Sequence, residues 1–136
     1  MLRYLMAFLI PASLASGSLP PDWGLPAARP AAIRWSQAGL CSYVHPALQG
    51  RRTAFGGRWD ERQMAAAHRT ARAGAWLVVR RVDNGREVRV RCRDRGPYAA
   101  RAGDRGVPRI VDLSRAAATK LGIRRTGIVA VEVREL

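Results

Sequence analysis

The sequence predicts a mainly β fold, a small closed barrel with one brief helix, on three observations. Short segments with the alternation typical of strands recur after residue 35, and Pro, Gly, Asn or Asp separate them. One stretch, residues 114–121, has the composition of a helix. About one hundred residues follow Trp35, which is enough for one modest core and therefore for one domain. Many short strands in so small a domain favour a closed barrel.

The first strand and a long loop are predicted next to each other. Residues 39–44 (GLCSYV) are apolar enough for a strand. Residues 45–57 contain a proline and three glycines, which predict a loop. A short apolar run, residues 64–67, follows this loop and leads into the core.

A β-hairpin is predicted from the middle of the chain. Residues 75–82 (AWLVVRRV) and 87–93 (EVRVRCR) both favour strands. In the second segment, valines and a cysteine alternate with arginines, so one face is apolar and the other is cationic. Asn84 and Gly85 lie between the two segments, and this pair favours a type I′ turn because both central residues need positive φ.

The last third of the chain predicts a corner, a strand, a helix and a final strand. Residues 94–98 (DRGPY) form a tight corner, and residues 110–113 lead into the helix. Ser114 suits the N-cap and Gly122 the position that ends the helix. Residues 126–133 (TGIVAVEV) alternate as a last strand.

The N-terminus has the pattern of an export signal. Arg3 precedes an apolar run, and small residues follow, which predicts a signal peptide over residues 1–15. The apolar run is far shorter than the roughly 20 residues that span a bilayer, so we expect no stable membrane anchor. Residues 16–34 are rich in Pro and Ala and are interpreted as a leader or linker, which leaves residues 35–136 as the folded domain.

The net charge limits which partners the protein can have. The net charge is +14, carried almost wholly by arginine, and such a balance attracts polyanions: nucleic acid, anionic lipid head groups or anionic cell-envelope polymers. The arginines form no basic helix and do not interleave with aromatic residues, so we expect no nucleic acid partner.

In an exported protein the two cysteines, Cys41 and Cys92, favour a disulfide, and two buried free thiols are the alternative. Metal-ligand spacing is missing, so we expect no metal and no other cofactor.

Several motifs in their order resemble one family, that of rare lipoprotein A (RlpA), over about residues 39–133. The motifs are GLCSYV, TAFGGRWD, MAAAHRT, the DNG hairpin, VRCRDRGPY, IVDLSRAAATKLG and TGIVAVEV. The resemblance implies a six-stranded double-psi β-barrel with one or two short helices. It also implies an exported protein, a monomer in our expectation, that binds peptidoglycan glycan strands. Active members, of the septal type, cleave these strands as lytic transglycosylases, which are carbon–oxygen lyases acting on polysaccharide.

The resemblance also implies site residues. Asp94 matches the aspartate of the DRGP motif and is the candidate acid and base, with a turn aspartate as the alternative. His68 matches the histidine of the AAHRT motif and would assist Asp94 or bind the sugar, with a buried core histidine as the alternative. The candidate substrate-binding residues are Trp59, Tyr98, Arg95, Asp60 and Asp112. Trp76 lies inside an apolar strand and is expected in the core.

One position departs from the active members of the family. They carry a glutamate in a TA-x-G-E-x-F/Y-D motif, and Gly57 stands at that place here. The nearest acids, Asp60 and Glu61, are interpreted as turn or helix-start residues. The sequence also ends after the barrel, without the C-terminal septal peptidoglycan-binding domain or the lipidated cysteine of full-length members. The alternatives to an enzyme are therefore a non-catalytic glycan-binding barrel and, more weakly, a basic protein that binds anionic polymers by charge alone.

Overall fold

The computed structural model describes residues 32–98 and 106–136. The predicted signal peptide over residues 1–15 and nearly all of the predicted leader over residues 16–34 lie outside the described residues. Within the described ranges, no helix has the length and apolar character needed to cross a membrane.

Six strands close into a barrel in the described part of the chain. The strands are β1 (Trp35–Tyr43), β2 (Ala65–His68), β3 (Trp76–Arg81), β4 (Glu87–Asp94), β5 (Arg109–Leu113) and β6 (Val129–Glu135). They follow the order β1-β5-β2-β4-β3-β6 around the barrel. One α-helix, α1 (Arg115–Leu121), and one 3₁₀ turn (Pro46–Leu48) complete the elements. This architecture confirms the predicted six-stranded barrel with one or two short helices.

Two parallel pairings define how the chain crosses the barrel. β1 pairs in parallel with β5, and β2 pairs in parallel with β4, whereas the other neighbours are antiparallel. Parallel neighbours cannot be joined by a tight hairpin, so the chain must cross between them. As a result, the ends of β1, β4 and β5 and the long loop after β1 contribute residues to one cleft.

The barrel interior is filled by alternate residues of the strands. Leu77 and Val79 of β3 and Val88 and Val90 of β4 are buried, as alternation predicts. The helix α1 packs its buried face against β1, β2, β4 and β5. The Ser114 hydroxyl accepts a hydrogen bond from the Ala117 amide at 3.3 Å, which confirms the predicted N-cap.

The observed bounds of β1 and β6 differ from the predicted segments 39–44 and 126–133. β1 begins at Trp35 because it pairs with β6 from Trp35 opposite Glu135 to Cys41 opposite Val129. β6 accordingly runs over Val129–Glu135, and residues 126–128 lie before it. Sequence alternation does not show which partner a strand has, so it misplaced both boundaries.

The hairpin between β3 and β4 differs from the predicted two-residue type I′ turn. The Arg81 amide donates to the Arg86 carbonyl at 2.8 Å, so the loop contains four residues, 82–85. Gly85 has a φ of 71°, and its amide donates to the Arg81 carbonyl at 3.0 Å. The Asn84 side chain accepts from the Arg86 amide at 3.0 Å. Asn84 and Gly85 therefore form the second half of a wider loop.

The predicted disulfide between Cys41 and Cys92 is not formed in the structure. Both cysteines are free and fully buried. Cys41 lies on β1 and Cys92 on β4, and two strands separate β1 from β4 in either direction around the barrel. Neighbouring strands are already about 4.8 Å apart, whereas a disulfide needs Cα atoms within about 7 Å. The alternative of two buried thiols is the one observed, and burial raises the pKa of the Cys41 thiol well above its usual range.

Candidate active-site cleft

A cleft of about 750 Å³ lies where the ends of β1, β4 and β5 meet the loop around residues 51–59. Two other cavities among the described residues are smaller, at about 430 and 490 Å³. Its charged lining residues are Arg51, Arg52, Arg95, Arg109, Asp94 and Asp112. The excess of arginine suits an anionic or strongly polar ligand.

Asp94, the last residue of β4, joins the motif loop, residues 53–60 (TAFGGRWD), to the barrel. It is half-buried and lines the cleft. Its Oδ1 accepts hydrogen bonds from the Ala54 amide and from the Arg95 amide, both at 2.8 Å. No donor among the described residues bonds its Oδ2. The backbone thus orients the carboxylate through one oxygen, and the other oxygen has no bond to the described residues, so the turn role leaves room for a site role.

His68, the last residue of β2, is a satisfied core histidine. It is 2% exposed, and its ring lies 4.9 Å from the Trp35 ring, centroid to centroid. Its Nδ1 accepts from the Thr70 amide at 3.2 Å and from the Ala71 amide at 3.0 Å. Its Nε2 therefore carries the proton and donates to the Gln37 side-chain oxygen at 3.1 Å. Both ring nitrogens are thus engaged inside the protein.

The electrostatic surroundings keep His68 neutral. Burial lowers the pKa of His68, and the nearby Arg69 and Arg95 lower it further, while Glu135 opposes them. The side chain does not line the cleft. Its link to Asp94 runs through the next residue, since an Arg95 guanidinium nitrogen donates to the His68 carbonyl at 3.3 Å. The structure therefore does not bring His68 and the Asp94 carboxylate together as a pair.

Arg95 fixes the neighbourhood of Asp94. Its guanidinium donates to the carbonyls of His68 and Ala71 and lies 4.7 Å above the Phe55 ring. Phe55 belongs to the same motif loop that Asp94 holds. Arg95 lines the cleft, and its Nη1 ties the corner after β4 to the end of β2 and to Ala71.

Asp112 belongs to a polar cluster at the cleft. The Ser42 hydroxyl donates to Asp112, and an Arg109 guanidinium nitrogen donates to that hydroxyl at 2.9 Å and lies 3.9 Å from the carboxylate. Ser42 and Asp112 are register partners in the parallel pair of β1 and β5. Ser42 and Arg109 were not predicted as site residues, because their positions depend on a pairing between distant segments.

The two aromatic residues expected to stack on sugars differ in exposure. Tyr98 is 72% exposed at the cleft, so a ring face is available to a ligand. Trp59 is only 3% exposed, and its indole N–H donates to the Glu61 carboxylate. Trp59 contributes a small part of the cleft wall rather than an open stacking face.

Asp60 and Gly57 line a second cavity, of about 430 Å³, instead of the Asp94 cleft. The Asp60 carboxylate accepts from the Arg62 backbone amide at 3.0 Å and from its side chain at 3.1 Å, and these bonds lower the pKa of Asp60. A Cβ atom added to Gly57 would meet only the Thr53 hydroxyl, at 3.9 Å. Thr53 lines both cavities, so a side chain at position 57 would stand at the border between them.

Glu61 was interpreted as a turn or helix-start acid. It does lie at the start of a helix, but that helix is α1, far along the chain. Its Oε2 accepts from the Arg115 amide at 2.7 Å, at the first turn of α1, and its Oε1 accepts from Trp59. The Glu61 carbonyl also accepts from the Ala116 amide at 3.0 Å. Glu61 therefore attaches the motif loop to α1, which the local sequence around it does not show.

Of the predicted site residues, the cleft brings together Asp94, Arg95, Asp112, Tyr98 and the edge of Trp59. His68 and Asp60 lie elsewhere, as described above. Among residues 32–98 and 106–136, no group of three or more His, Cys, Asp or Glu side chains has a geometry that would hold a metal ion.

Comparison with known proteins places these motifs in one family. Residues 38–133 match the family described as "Lytic transglycolase". The chain is similar to the endolytic peptidoglycan transglycosylase RlpA of Haemophilus influenzae, with 38% identity over 98 residues that cover 72% of this chain and 32% of that protein. It is also similar to the probable endolytic peptidoglycan transglycosylase RlpA of Aquifex aeolicus, with 42% identity over 72% of this chain and 40% of that protein. The chain spans about a third to two fifths of the length of these relatives.

Solved structures agree on the fold. The chain is similar to the Streptomyces papain inhibitor, with a TM-score of 0.57 and 25% identity over 76% of this chain and 96% of that chain. It is also similar to a Clavibacter michiganensis expansin, with a TM-score of 0.52 and 22% identity over 75% of this chain and 50% of that chain. Together with the motif order, these matches show that the chain belongs to the lytic transglycolase family of RlpA-like double-psi β-barrels.

Proposed function

We propose that the protein is an exported lytic transglycosylase that cleaves the glycan strands of peptidoglycan in the cleft beside Asp94. The observation that carries this proposal is the Asp94 carboxylate at the cleft, which has one oxygen held by two backbone amides and the other without a bond to the described residues. The names of the relatives supply the substrate and the reaction.

The chemistry requires one carboxyl group in two successive states. Protonated Asp94 donates its proton to the glycosidic oxygen of the leaving sugar. The bond between the glycosidic oxygen and C1 of N-acetylmuramic acid breaks. The resulting carboxylate removes the proton from the C6 hydroxyl of that sugar, and the C6 oxygen bonds to C1. The products are a free glycan end and a 1,6-anhydro ring, and no water is consumed.

The remaining cleft residues supply binding in this proposal. Tyr98 offers an exposed ring to a sugar face, and Asp112 with Ser42 offers a fixed polar edge for sugar hydroxyls. His68 supports the site indirectly, by holding the backbone after β2 through its Nδ1. Arg95 then links that backbone to the corner at Asp94.

Position 57 is the observation that favours the second candidate, a glycan-binding barrel without cleavage. The residue there is glycine, where active members of the family carry glutamate, and the cavity around it contains no second carboxylate beyond Asp60 among its described lining residues. Removing one acid from a pair that acts together lowers rates by orders of magnitude.

The decisive experiment uses purified glycan strands without peptide stems, incubated with the protein and examined by mass spectrometry. We expect anhydro-sugar ends with the wild type and a loss of at least about a thousandfold in Asp94→Asn. Asparagine keeps an oxygen acceptor for the Ala54 amide, so the loop stays attached. Glu132→Gln, at a half-exposed residue of β6, is the matched control, and this variant should cleave as the wild type does. Saturable binding of strands with no anhydro ends would reject the enzyme and support the binding barrel.

Export belongs to this proposal as well, because peptidoglycan lies outside the cytoplasmic membrane. The predicted signal peptide ends at Ala15. N-terminal sequencing of the protein recovered from the cell envelope should begin at Ser16. A mature protein that starts at Met1 and stays in the cytoplasm would contradict the proposed location.

A further inference from the structure

A second carboxylate lies across the cleft from Asp94. Asp94 of β4 and Asp112 of β5 both pair with Ala67, because β2 runs between these two strands. All three residues line the cleft. Two strand spacings separate the Cα atoms of the two aspartates, which amounts to about 10 Å. Carboxylates that extend from such positions can stand at the roughly 5–9.5 Å that separates the two carboxyl groups in glycosidases.

An irregularity in β4 places Asp94 on the face of the cleft. Ala66 pairs with Cys92, and the next residue, Ala67, pairs with Asp94. Arg93 is therefore an extra residue on the β4 side, as in a β-bulge. Ala66 and Cys92 belong to the core, so strict alternation would put Asp94 on the core face. The bulge moves Asp94 to the face of Ala67, which is the face of the cleft.

Asp112 is held through one oxygen, as Asp94 is. The Ser42 hydroxyl donates to Asp112 Oδ1, and Arg109 Nη1 donates to that hydroxyl at 2.9 Å. Arg109 Nη1 lies 3.9 Å from the same carboxylate oxygen, which is beyond hydrogen-bond distance. Asp112 Oδ2 has no bond to the described residues. Ser42 is only 5% exposed, so its hydroxyl acts on Asp112 rather than on a ligand.

The proposed reaction needs a negative charge that Asp94 does not supply. Asp94 is protonated when the glycosidic bond begins to break, so it is neutral at that moment. C1 of the muramic acid becomes positively charged in the transition state. Arg51, Arg52 and Arg109 line the same cleft, and their charges oppose a developing cation. Among the described residues that line the cleft, Asp112 is the remaining acid.

We propose that Asp112 is a second catalytic carboxylate, which stabilises the positive charge at C1 while Asp94 transfers its proton. Ser42 is a positioning residue, because it fixes Asp112 by a hydrogen bond. Asp112 forms no covalent bond in this step: C1 loses the glycosidic oxygen and gains the C6 oxygen, and Asp112 remains a carboxylate throughout. This inference rests on the proposed function and adds a residue to its mechanism.

The first measurement is the cleavage rate of stem-free glycan strands by Asp112→Asn. Asparagine keeps an acceptor oxygen for the Ser42 hydroxyl but removes the charge. We expect kcat to fall by at least about a hundredfold while KM changes by less than about threefold, because the charge acts in the transition state. A change confined to KM would mean that Asp112 only binds sugar hydroxyls, and it would overturn the proposal.

The positioning role is tested at Ser42. Ser42→Ala removes the donor to Asp112 and should lower kcat about tenfold, whereas Ser42→Thr retains a hydroxyl and should recover most of the rate. Glu132→Gln, on β6 and outside the cleft, should match the wild type. A wild-type kcat in Ser42→Ala, or equal losses in the alanine and threonine variants, would contradict the positioning role. The Tm of each variant shows that it is folded.

Binding of a cationic sugar mimic separates this inference from the proposed function. The probe is a stem-free glycan fragment that ends in an iminosugar, whose protonated nitrogen imitates the charge at C1, and the neutral fragment of equal length is the reference. We expect the wild type to bind the cationic probe at least about tenfold more tightly. Asp112→Asn should lose more of this preference than Asp94→Asn does, and Glu132→Gln should keep it.

This binding measurement decides the role of Asp112 whether or not strands are cleaved. A wild type that does not cleave but prefers the cationic probe through Asp112 would reject the enzyme and support the charge-stabilising site. An equal preference in the wild type and Asp112→Asn, or no preference in the wild type, would overturn the inference. Cleavage that is retained in Asp112→Asn would overturn it while leaving the proposed function in place.

Discussion

At the scale of single residues, a few positions determine the properties of the cleft and its surroundings. Asp94 orients the motif loop and presents an oxygen to the cleft. His68 uses both ring nitrogens inside the protein, although its motif suggested a role next to Asp94. Gly57 occupies the place of an acid and leaves space there. Each of these observations leads to a measurement on one substitution.

Acidification should destabilise the fold through His68. Its pKa is lowered from 6.5 in the folded protein, so below that pH the unfolded chain binds a proton that the folded chain excludes. Stability is therefore fully present above pH 6.5 and falls as the pH decreases towards the folded pKa. We expect the Tm to fall between pH 7.5 and pH 5.5, and to fall less in His68→Gln. His45→Gln, at the exposed histidine, is the control and should keep the wild-type slope.

Restoring a carboxylate at position 57 should increase cleavage. The backbone of Gly57 is not left-handed, and its added Cβ meets only Thr53, so Gly57→Glu should fold normally and cleave at least about tenfold faster. Gly56→Glu places the same side chain one residue earlier, where φ is +89°. We expect that control to lose about 1–2 kcal/mol and to gain no activity. Unchanged cleavage in Gly57→Glu would show that a carboxylate at the border between the two cavities does not contribute to cleavage.

At the scale of elements, the motif loop and α1 form one unit through Glu61. The loop provides Ala54 to Asp94 and Trp59 to the cleft wall, and Glu61 attaches it to the start of α1. The helix in turn packs on four strands of the barrel. The shape of the cleft thus depends on a bond between segments more than fifty residues apart.

Removing the Glu61 carboxylate should weaken this unit. Glu61→Ala leaves the buried Trp59 N–H and the Arg115 amide without their acceptor, so we expect a loss of about 2–4 kcal/mol in the free energy of unfolding. Denaturant unfolding measures it. Glu132→Ala, at a half-exposed glutamate of β6, should change stability by less than about 0.5 kcal/mol. Similar losses in the two variants would contradict the attachment.

At the scale of the whole molecule, the closed barrel places the two cysteines on opposite sides of one core. Neither thiol is exposed, and no disulfide joins them. The stability of the described domain therefore comes from the packing of the strands and α1. The full chain has a net charge of +14, mostly from arginines, and such a charge affects solubility and association rather than the fold.

Thiol labelling should distinguish the free cysteines from a disulfide. The native protein should resist alkylation because both thiols are buried, and the denatured protein should accept two labels without any reductant. A reductant should leave the Tm unchanged. A denatured protein that is labelled only after reduction would contradict the structure, and Cys92→Ser would serve as the one-label reference.

The fold was predictable to the extent that it depends on local patterns. Alternation in residues 87–93 and the capping residues Ser114 and Gly122 predicted β4 and α1 well. The strand boundaries of β1 and β6, the half-buried position of Trp76, which was expected in the core, and the pair Ser42–Asp112 depend on which distant strands are neighbours, and a single sequence does not contain that directly. The resemblance led to Asp94, which lines the cleft, but it did not show that both ring nitrogens of His68 are engaged inside the protein.

The backbone at Gly57 has a consequence for the history of this site. Its ordinary φ and open surroundings mean that glycine and glutamate are interchangeable there without rebuilding the loop. Glycine codons that end in a purine differ from glutamate codons by one nucleotide, so a lineage with such a codon can lose or regain the acid in a single mutation while the barrel stays folded. Under the proposed function, such a position would let cleavage and binding of the same polymer alternate as evolutionary states of one scaffold.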